Sequence, residues 1–600
     1  MPSFTTRPEI RGTFGVVAST HWIASAVGMS VLEKGGNAFD AAAAAGFTLQ
    51  VVEPHLNGPL GEAPMLVWSA ANRRCDMICG QGVAPAAATI TRFRELGLDL
   101  IPGTGLLAAA VPGAFDAWMR LLRDYGTMPL AEIIGPAIGY AEKGYPAVAR
   151  IGDTVAAVAE LFRREWPSSA AVYLPNGMPP KPGKLFRNSA LAATYRRALS
   201  EAGDGARELQ IERARNAWYR GFVAEAIDRF CRHEEVLDAS GRRHGGLLTG
   251  DDLARWEAPV EDPVTLDYCG YTVVKGGPWS QGPVLLQQLA LLQGFDLDDL
   301  DPLGPEFVHI VVECAKLAFA DREAWYGDPD FVDVPMRTLL GGAYNDARRK
   351  LVTDLASLEL RPGSPGGRAP RVLVGGRVAL GAGIGEPTIG GLGEPTVTAH
   401  GLVAGDTCHV DVVDRWGNMV SATPSGGWLQ SSPVIPELGF CLGTRMQMFW
   451  LEEGLPASLM PGKRPRSTLS PSMAFKDGEP YLAFGTPGGD QQDQWSALMF
   501  LHHVHHGMNL QEAIDCPAFH TEHMPSSFYP RAAQPGLVAL ESRFPEATRA
   551  ALAGRGHRLR IGEPWSEGRL SGCAREETPE GTILKAAANP RGMQGYAVGR

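Results

Sequence analysis

The sequence predicts a mixed α/β (α+β) protein, and three observations predict it. Residues Asp40 to Val52 form an alanine-rich run without Gly or Pro before Gly46, the composition of a closely packed helix. Residues Glu306 to Trp325 repeat apolar side chains at Val308, Val311, Val312, Ala315, Leu317, Ala318 and Phe319, the spacing of a long helix. His409 to Val413 and Met419 to Thr423 instead read as strands, joined through the turn residues Asp414-Arg415-Trp416-Gly417-Asn418.

The other elements follow in order. Gly15-Val16-Val17-Ala18 is a short apolar strand, and a helix runs from Ile23 to Leu32 with Gly35-Gly36-Asn37 as its stop. Glu53-Pro54-His55 ends the alanine-rich helix, so residues 1–110 read as one strand and two helices feeding a turn. Residues 111–260 read as mainly helical, with Trp118 to Tyr125 and Leu191 to Leu199 as examples. Tyr271-Thr272-Val273-Val274 is a strand, followed by the loop Gly276 to Gly282. Residues 361–405 are rich in Gly and Pro, and Gly385-Glu386-Pro387-Thr388 recurs as Gly393-Glu394-Pro395-Thr396. A loop of that length is functional or disordered, and here it reads as the tail left by a cut.

Composition narrows the function classes. A chain of 600 residues with 44% hydrophobic and 20% charged side chains is expected to be soluble and globular. Its net charge of −11, without a long basic run, argues against a nucleic-acid or membrane-surface partner. The cluster Arg213, Arg215 and Arg220 reads as a solvated helix face. Residues 1–10 hold no apolar signal core, and no apolar run reaches 18 residues. Nine scattered cysteines without CxxC pairs fit reduced thiols, so the expected location is cytoplasmic.

Chemistry concentrates after the Gly/Pro-rich segment. A threonine hydroxyl is a weak nucleophile without a base beside it. Cutting the chain between Asp406 and Thr407 would free the Thr407 α-amino group, which titrates near pH ~8 and can take the hydroxyl proton. His409 lies two residues on, a local hydrogen-bonding partner or a packed structural histidine. Cys408 reads as a buried small side chain. His502, His503, His505 and His506 have helical metal-ligand spacing, but no carboxylate or cysteine motif completes a site. Neither a metal nor another cofactor is expected.

Separated motifs raise this reading above a lone hairpin. Val17-Ala18-Ser19-Thr20-His21, Leu32 to Ala42 and Val52-Glu53-Pro54-His55 come first. Ala318-Phe319-Ala320-Asp321-Arg322, Tyr326-Gly327-Asp328-Pro329 and Thr407-Cys408-His409 follow in mid-chain. Pro461 to Pro465, Ser470-Pro471 and Gly485-Thr486-Pro487-Gly488-Gly489 close the series. In that order the chain resembles the γ-glutamyltranspeptidase family of N-terminal-nucleophile hydrolases over most of its length. The resemblance implies a four-layer αββα sandwich and self-cleavage before Thr407. Residues 1–406 and 407–600 would then remain together as a heterodimer in one intertwined domain. It implies Thr407 as nucleophile, Ser425 as a hydroxyl that orients it, and Gly488 and Gly489 as the oxyanion hole. Ser467 and Thr468 match the hydroxyl pair of the acyl pocket.

The match fails where the family grips its γ-glutamyl group. The carboxylate-binding arginine falls at Gln81, the expected asparagine at Gly427 and the acidic amine ligand at Gln447. Each lost charge-assisted bond is worth about 1.5–3 kcal/mol, so ordinary glutathione chemistry is not expected. Gln81, Trp428, Gln447 and the Gln491-Gln492 pair point instead to a neutral polar pocket. The expected substrate is an amide bearing a small acyl group, with oxalyl as the example. The alternatives are a natural-product homologue cleaving a C–C bond, a γ-glutamyl enzyme or β-lactam side-chain acylase, and an inactive binding paralogue.

Overall fold

The computed structural model describes residues 4–373, 407–591 and 594–600. Two seven-stranded sheets organise the chain. The first runs, in order, Tyr596–Gly599, Gly15–Ser19, Val410–Asp414, Met419–Ala422, Met65–Ser69, Arg74–Ile78 and Val260–Glu261. The second runs Ile10–Gly12, Gly581–Ala588, Ser571–Thr578, Glu479–Gly485, Ser472–Lys476, Tyr271–Lys275 and Val264–Tyr268. Every pairing within them is antiparallel.

The strand period of two builds the layers. Val16, Ala18, Val413 and Met419 of the first sheet share one apolar layer with Val274, Met473, Ala483 and Ala586 of the second. Their neighbours Val17, Val412 and Val420 face outward, into a core made with helices Trp22–Glu33, Ala38–Val52 and Ala114–Tyr125. On the other side Val273, Ala474 and Leu482 face helices Pro283–Leu292, Pro305–Trp325 and Gln492–His505. The result is the four-layer αββα sandwich. With both faces covered, the central strands are buried throughout, polar residues such as Asp411 and Ser421 included.

The expected helices and the hairpin form, with Val412 opposite Val420. Asn37 does something else than expected. Its side chain accepts from the amides of Phe39 and Asp40 while Asp40 accepts from the Asn37 amide, so it starts the alanine-rich helix rather than stopping the one before. That helix is buried along its whole length, and Gly46 leaves room for the Trp118 indole, which an added Cβ would approach to 2.3 Å. The solvated face expected of Arg213, Arg215 and Arg220 holds for Arg213 and Arg220, which are exposed, but not for Arg215. Arg215 is buried and ion-paired with Asp116. Residues 1–110 hold three further strands, Ile10–Gly12, Met65–Ser69 and Arg74–Ile78, that the sequence reading did not find.

Candidate active site

Thr407 stands just before strand Val410–Asp414, and main-chain pairing fixes it there. It bridges Ser425 in antiparallel fashion, and Ser425 in turn bridges Glu62. The Cys408 amide donates to the Pro424 carbonyl at 2.9 Å, and Ser425 and Glu62 exchange amide bonds of 2.9 and 2.7 Å. This brings Thr407 Oγ1 to 3.2 Å from Ser425 Oγ, with both residues buried. Asp406 and the bond before Thr407 lie outside the described residues, as does most of the Gly/Pro-rich segment.

Gly488 and Gly489 follow strand Glu479–Gly485 of the opposite sheet. The two strand ends meet through His409. Its imidazole fills the space over Gly485, where an added Cβ would come within 2.3 Å of Cε1. His409 does not act on Thr407. Nδ1 bonds Thr423 Oγ1 and Nε2 bonds Asp411 Oδ1, each at 2.9 Å, so it is the packed structural histidine. Asp411 also accepts from Ser571 Oγ of the second sheet, at 2.9 Å. This buried network pins the two sheets together two residues from the threonine.

The glycine turn is anchored from behind. Gln492 donates to the Gly488 carbonyl, and Gln281 donates to the Gly489 carbonyl at 3.1 Å. Gly488 has φ +125°, a backbone conformation open to glycine, and a Cβ on Gly489 would strike Phe528 at 2.6 Å. Gln281 is held in turn, since Arg322 Nη1 donates to its Oε1 at 2.8 Å. Arg322 also pairs with Asp490 and Glu323, and Arg466 joins Glu323 at 2.7 Å. Arg531 packs into the same group and donates to the Ser526, Ser527 and Met448 carbonyls; burial drops its pKa to about 9. Three buried arginines against two carboxylates leave a positive excess behind the turn, a favourable setting for a developing oxyanion. Gln281 and this arginine group escaped the sequence reading because they converge from segments up to 250 residues apart.

Of the acyl-pocket pair, Ser467 is fixed by its main chain, which exchanges 2.8 Å bonds with Trp279 and Gln281. Thr468 Oγ1 is buried without a hydrogen-bond partner. That orphaned hydroxyl is a polar group available to a ligand.

The expected neutral glutamine pocket is only partly present. Gln81 is buried and donates to the Gly82 carbonyl, while its Oε1 has no partner. Gln447 is spent on structure, donating to Gly103 and Thr444 and accepting from the Tyr529 amide. Gln492 is spent likewise, since it also accepts from the Ser470 amide. Gly427, at φ +67°, packs against Gly58, where an added Cβ would lie 2.2 Å from the Gly427 carbonyl oxygen. Trp428 donates to the Leu56 carbonyl at 2.8 Å and turns its ring to the Arg445 guanidinium, 5.5 Å away.

Arg445 was the missed charge. It forms a buried pair with Glu62, through Nη2 at 3.0 Å and Nε at 3.2 Å. An oppositely charged pair therefore stands beside Ser425, legible only once Glu62 and Arg445 are seen together across 383 residues.

Behind the threonine, Cys408 is buried as expected, but its thiol points to Glu53 Oε2 at 3.0 Å. Thr20 donates to the same oxygen at 2.6 Å and Gln594 to the other. Burial raises the Glu53 carboxyl to about 7, although these donors and the charge of Arg150 pull the other way.

Of the histidines of residues 502–506, His502 faces His506, with their Nδ1 atoms 3.5 Å apart, while the others find separate partners. His503 bonds Tyr481 and Met508, His505 bonds Tyr268 and Asp298, and His506 bonds the Leu300 carbonyl. Elsewhere His309, Glu313 and His557 lie close enough to share a cation. Glu313 there is already paired with Lys316 and Arg361.

Comparison with known proteins agrees with this geometry. The gamma-glutamyltranspeptidase family model matches residues 24–599. The acylase ACY 1 proenzyme of Pseudomonas sp. (strain SE83) is 31% identical over 96% of this chain and 92% of its own. The oxamate amidohydrolase proenzyme of Klebsiella pneumoniae subsp. pneumoniae is 29% identical over 98% of each. The solved structure of LmbA2991HD is 57% identical, covers 100% of both chains and superposes with a TM-score of 0.93. No helix among the described residues is long and apolar enough to cross a membrane. The chain belongs to the gamma-glutamyltranspeptidase family and is an N-terminal-nucleophile enzyme of the amidohydrolase and acyltransferase kind.

Proposed function

We propose that the protein is made as a precursor, cuts itself between Asp406 and Thr407, and uses Thr407 to remove a small acyl group from an amide. The 3.2 Å approach of Thr407 Oγ1 to Ser425 Oγ, with His409 two residues on packed over Gly485 ahead of the Gly488–Gly489 turn, carries this reading. Thr407 Oγ attacks the acyl carbon, and the freed α-amino group takes its proton. The Gly488 and Gly489 amides receive the oxyanion, the amine leaves with the proton, and water releases the acyl group by the same route in reverse. The proenzyme names of two relatives support the cut. Strands from both sides of Thr407 pair with one another in each sheet, so the fragments 1–406 and 407–600 would stay locked as a heterodimer.

The acyl group is small and is not γ-glutamyl. Gln81 brings no positive charge, and Arg445 is neutralised by Glu62, so a glutamate α-carboxylate has no cation waiting at either position. An oxalyl-type group carries a carboxylate but no α-amino group, so the missing acidic ligand at Gln447 costs it nothing; the Thr468 hydroxyl can donate to it, and the oxamate amidohydrolase relative supports it. The test is turnover by the matured enzyme of an oxalyl amide, a γ-glutamyl anilide and a vinylogous α-keto acid. The reading requires the oxalyl amide to be cleaved at least a hundredfold faster than the anilide. The reverse order contradicts it, and turnover of the keto acid alone moves the same threonine to C–C cleavage.

A further inference from the structure

A second cavity lies apart from the threonine. Its volume is about 470 Å³, within the usual range for small-molecule sites. Trp325, Phe331, Arg368, Arg371, Leu455 and Lys463 line it, and Thr407, Ser425, Gly488 and Gly489 do not.

Its charge is unbalanced. Three cationic side chains face one lining carboxylate, Asp333, which is well exposed and holds Arg368 at 3.2 Å. Arg371 donates to the main-chain carbonyls of Gly454 and Glu453, at 2.9 and 3.2 Å. Lys463 donates to the carbonyls of Pro456 and Ser458, at 2.7 and 3.1 Å, which leaves one of its three N–H groups. Among the described residues neither Arg371 nor Lys463 has a carboxylate at ion-pair distance. The nearby acids are taken, Asp328 by Arg464 and Glu453 by Arg94. Burial lowers the Lys463 ammonium to about 8, with Asp328 opposing the shift.

The loop is shaped around the guanidinium. Gly454 has φ +77°, and a Cβ there would lie 2.0 Å from Arg371 Nη1. The remaining walls are apolar or aromatic. The Phe331 ring lies 6.0 Å from the Lys463 ammonium, and Arg368 covers Trp325 at 5.1 Å.

We infer that this cavity is a binding site for a small organic anion with an apolar body, whose charged end meets Arg371 and Lys463 and whose body lies along Phe331 and Leu455. A buried ammonium at Lys463 and an exposed guanidinium at Arg371, neither with a carboxylate partner among the described residues, gain from such a ligand, whereas a neutral one gains only the apolar contacts.

Titration calorimetry on the processed full-length protein tests this, with benzoate as probe and benzamide as its neutral counterpart. Benzoate should bind once per chain, at least tenfold tighter than benzamide. Arg371→Gln with Lys463→Gln should weaken it at least tenfold, and Gly454→Ala should also weaken it by displacing Arg371. Arg371→Gln alone, at an exposed position, serves if the double variant does not fold. The inference is overturned if benzamide binds equally well, if benzoate binding survives the substitutions, or if benzoate does not bind.

Discussion

The proposed reacting and recognising parts of the candidate pocket are built in different ways. Thr407, Ser425 and the Gly488–Gly489 turn are placed by main-chain bonds at the ends of two packed sheets. Gln81, Gly427 and Gln447 sit where the sequence departs from the family pattern, and there a buried Glu62–Arg445 pair takes up the charge. Backbone scaffolding holds a reaction type constant while side chains change the substrate. The fold therefore predicts how the enzyme reacts better than what it reacts with.

Removing the hydroxyl should have the largest effect. Thr407→Ala should stay uncut on a denaturing gel and lose acyl turnover by about 10⁴-fold or more, since both the nucleophile and its maturation depend on it. If the variant is still cut, the reacting part has been misplaced.

Breaking the recognition part should show in stability. Arg445→Met leaves Glu62 buried without its partner, and chemical denaturation should report a loss of about 3–5 kcal/mol. Adding Glu62→Leu should restore most of it. A double variant as unstable as the single would mean that the pair is not the unit described.

A smaller effect is expected behind the glycine turn. Gln492→Leu frees the Gly488 carbonyl, and kcat should fall about 10- to 100-fold with KM little changed, because the oxyanion donors lose their aim. A change in KM alone would place Gln492 in recognition instead.

Glu53 sharpens the comparison through pH. Its folded pKa of about 7 lies above the ordinary carboxylate value. The folded state thus binds the extra proton, and stability contributed by this group falls as pH rises from about 4.5 to 7. The loss reaches up to ~3 kcal/mol, and Glu53→Gln should remove that slope from denaturation curves measured between pH 5 and 8. An unchanged slope would show that Glu53 is ionised throughout.

The sequence showed the elements whose signals are local. The alanine-rich helix, the long helix Pro305–Trp325 and the Val410–Ala422 hairpin all follow from spacing within about twenty residues. The sheets were not local. Gly15–Ser19 lies between strands some 400 and 580 residues away, and only the family resemblance gave the layer order. Met65–Ser69 was missed because a strand buried on both faces has no alternation to read. In the candidate site, the closeness of Thr407 and Ser425 was legible because short motifs carry them. Gln281, Glu62 and Arg445 were not, since each acquires its role from a partner far along the chain.

The most direct measurement is the intact mass and N-terminal sequence of the purified protein's fragments. The account predicts two chains of about 43 and 21 kDa that copurify, the smaller beginning Thr-Cys-His. A single uncut chain that turns over the acyl amide, or a small fragment beginning at any residue but Thr407, would contradict it.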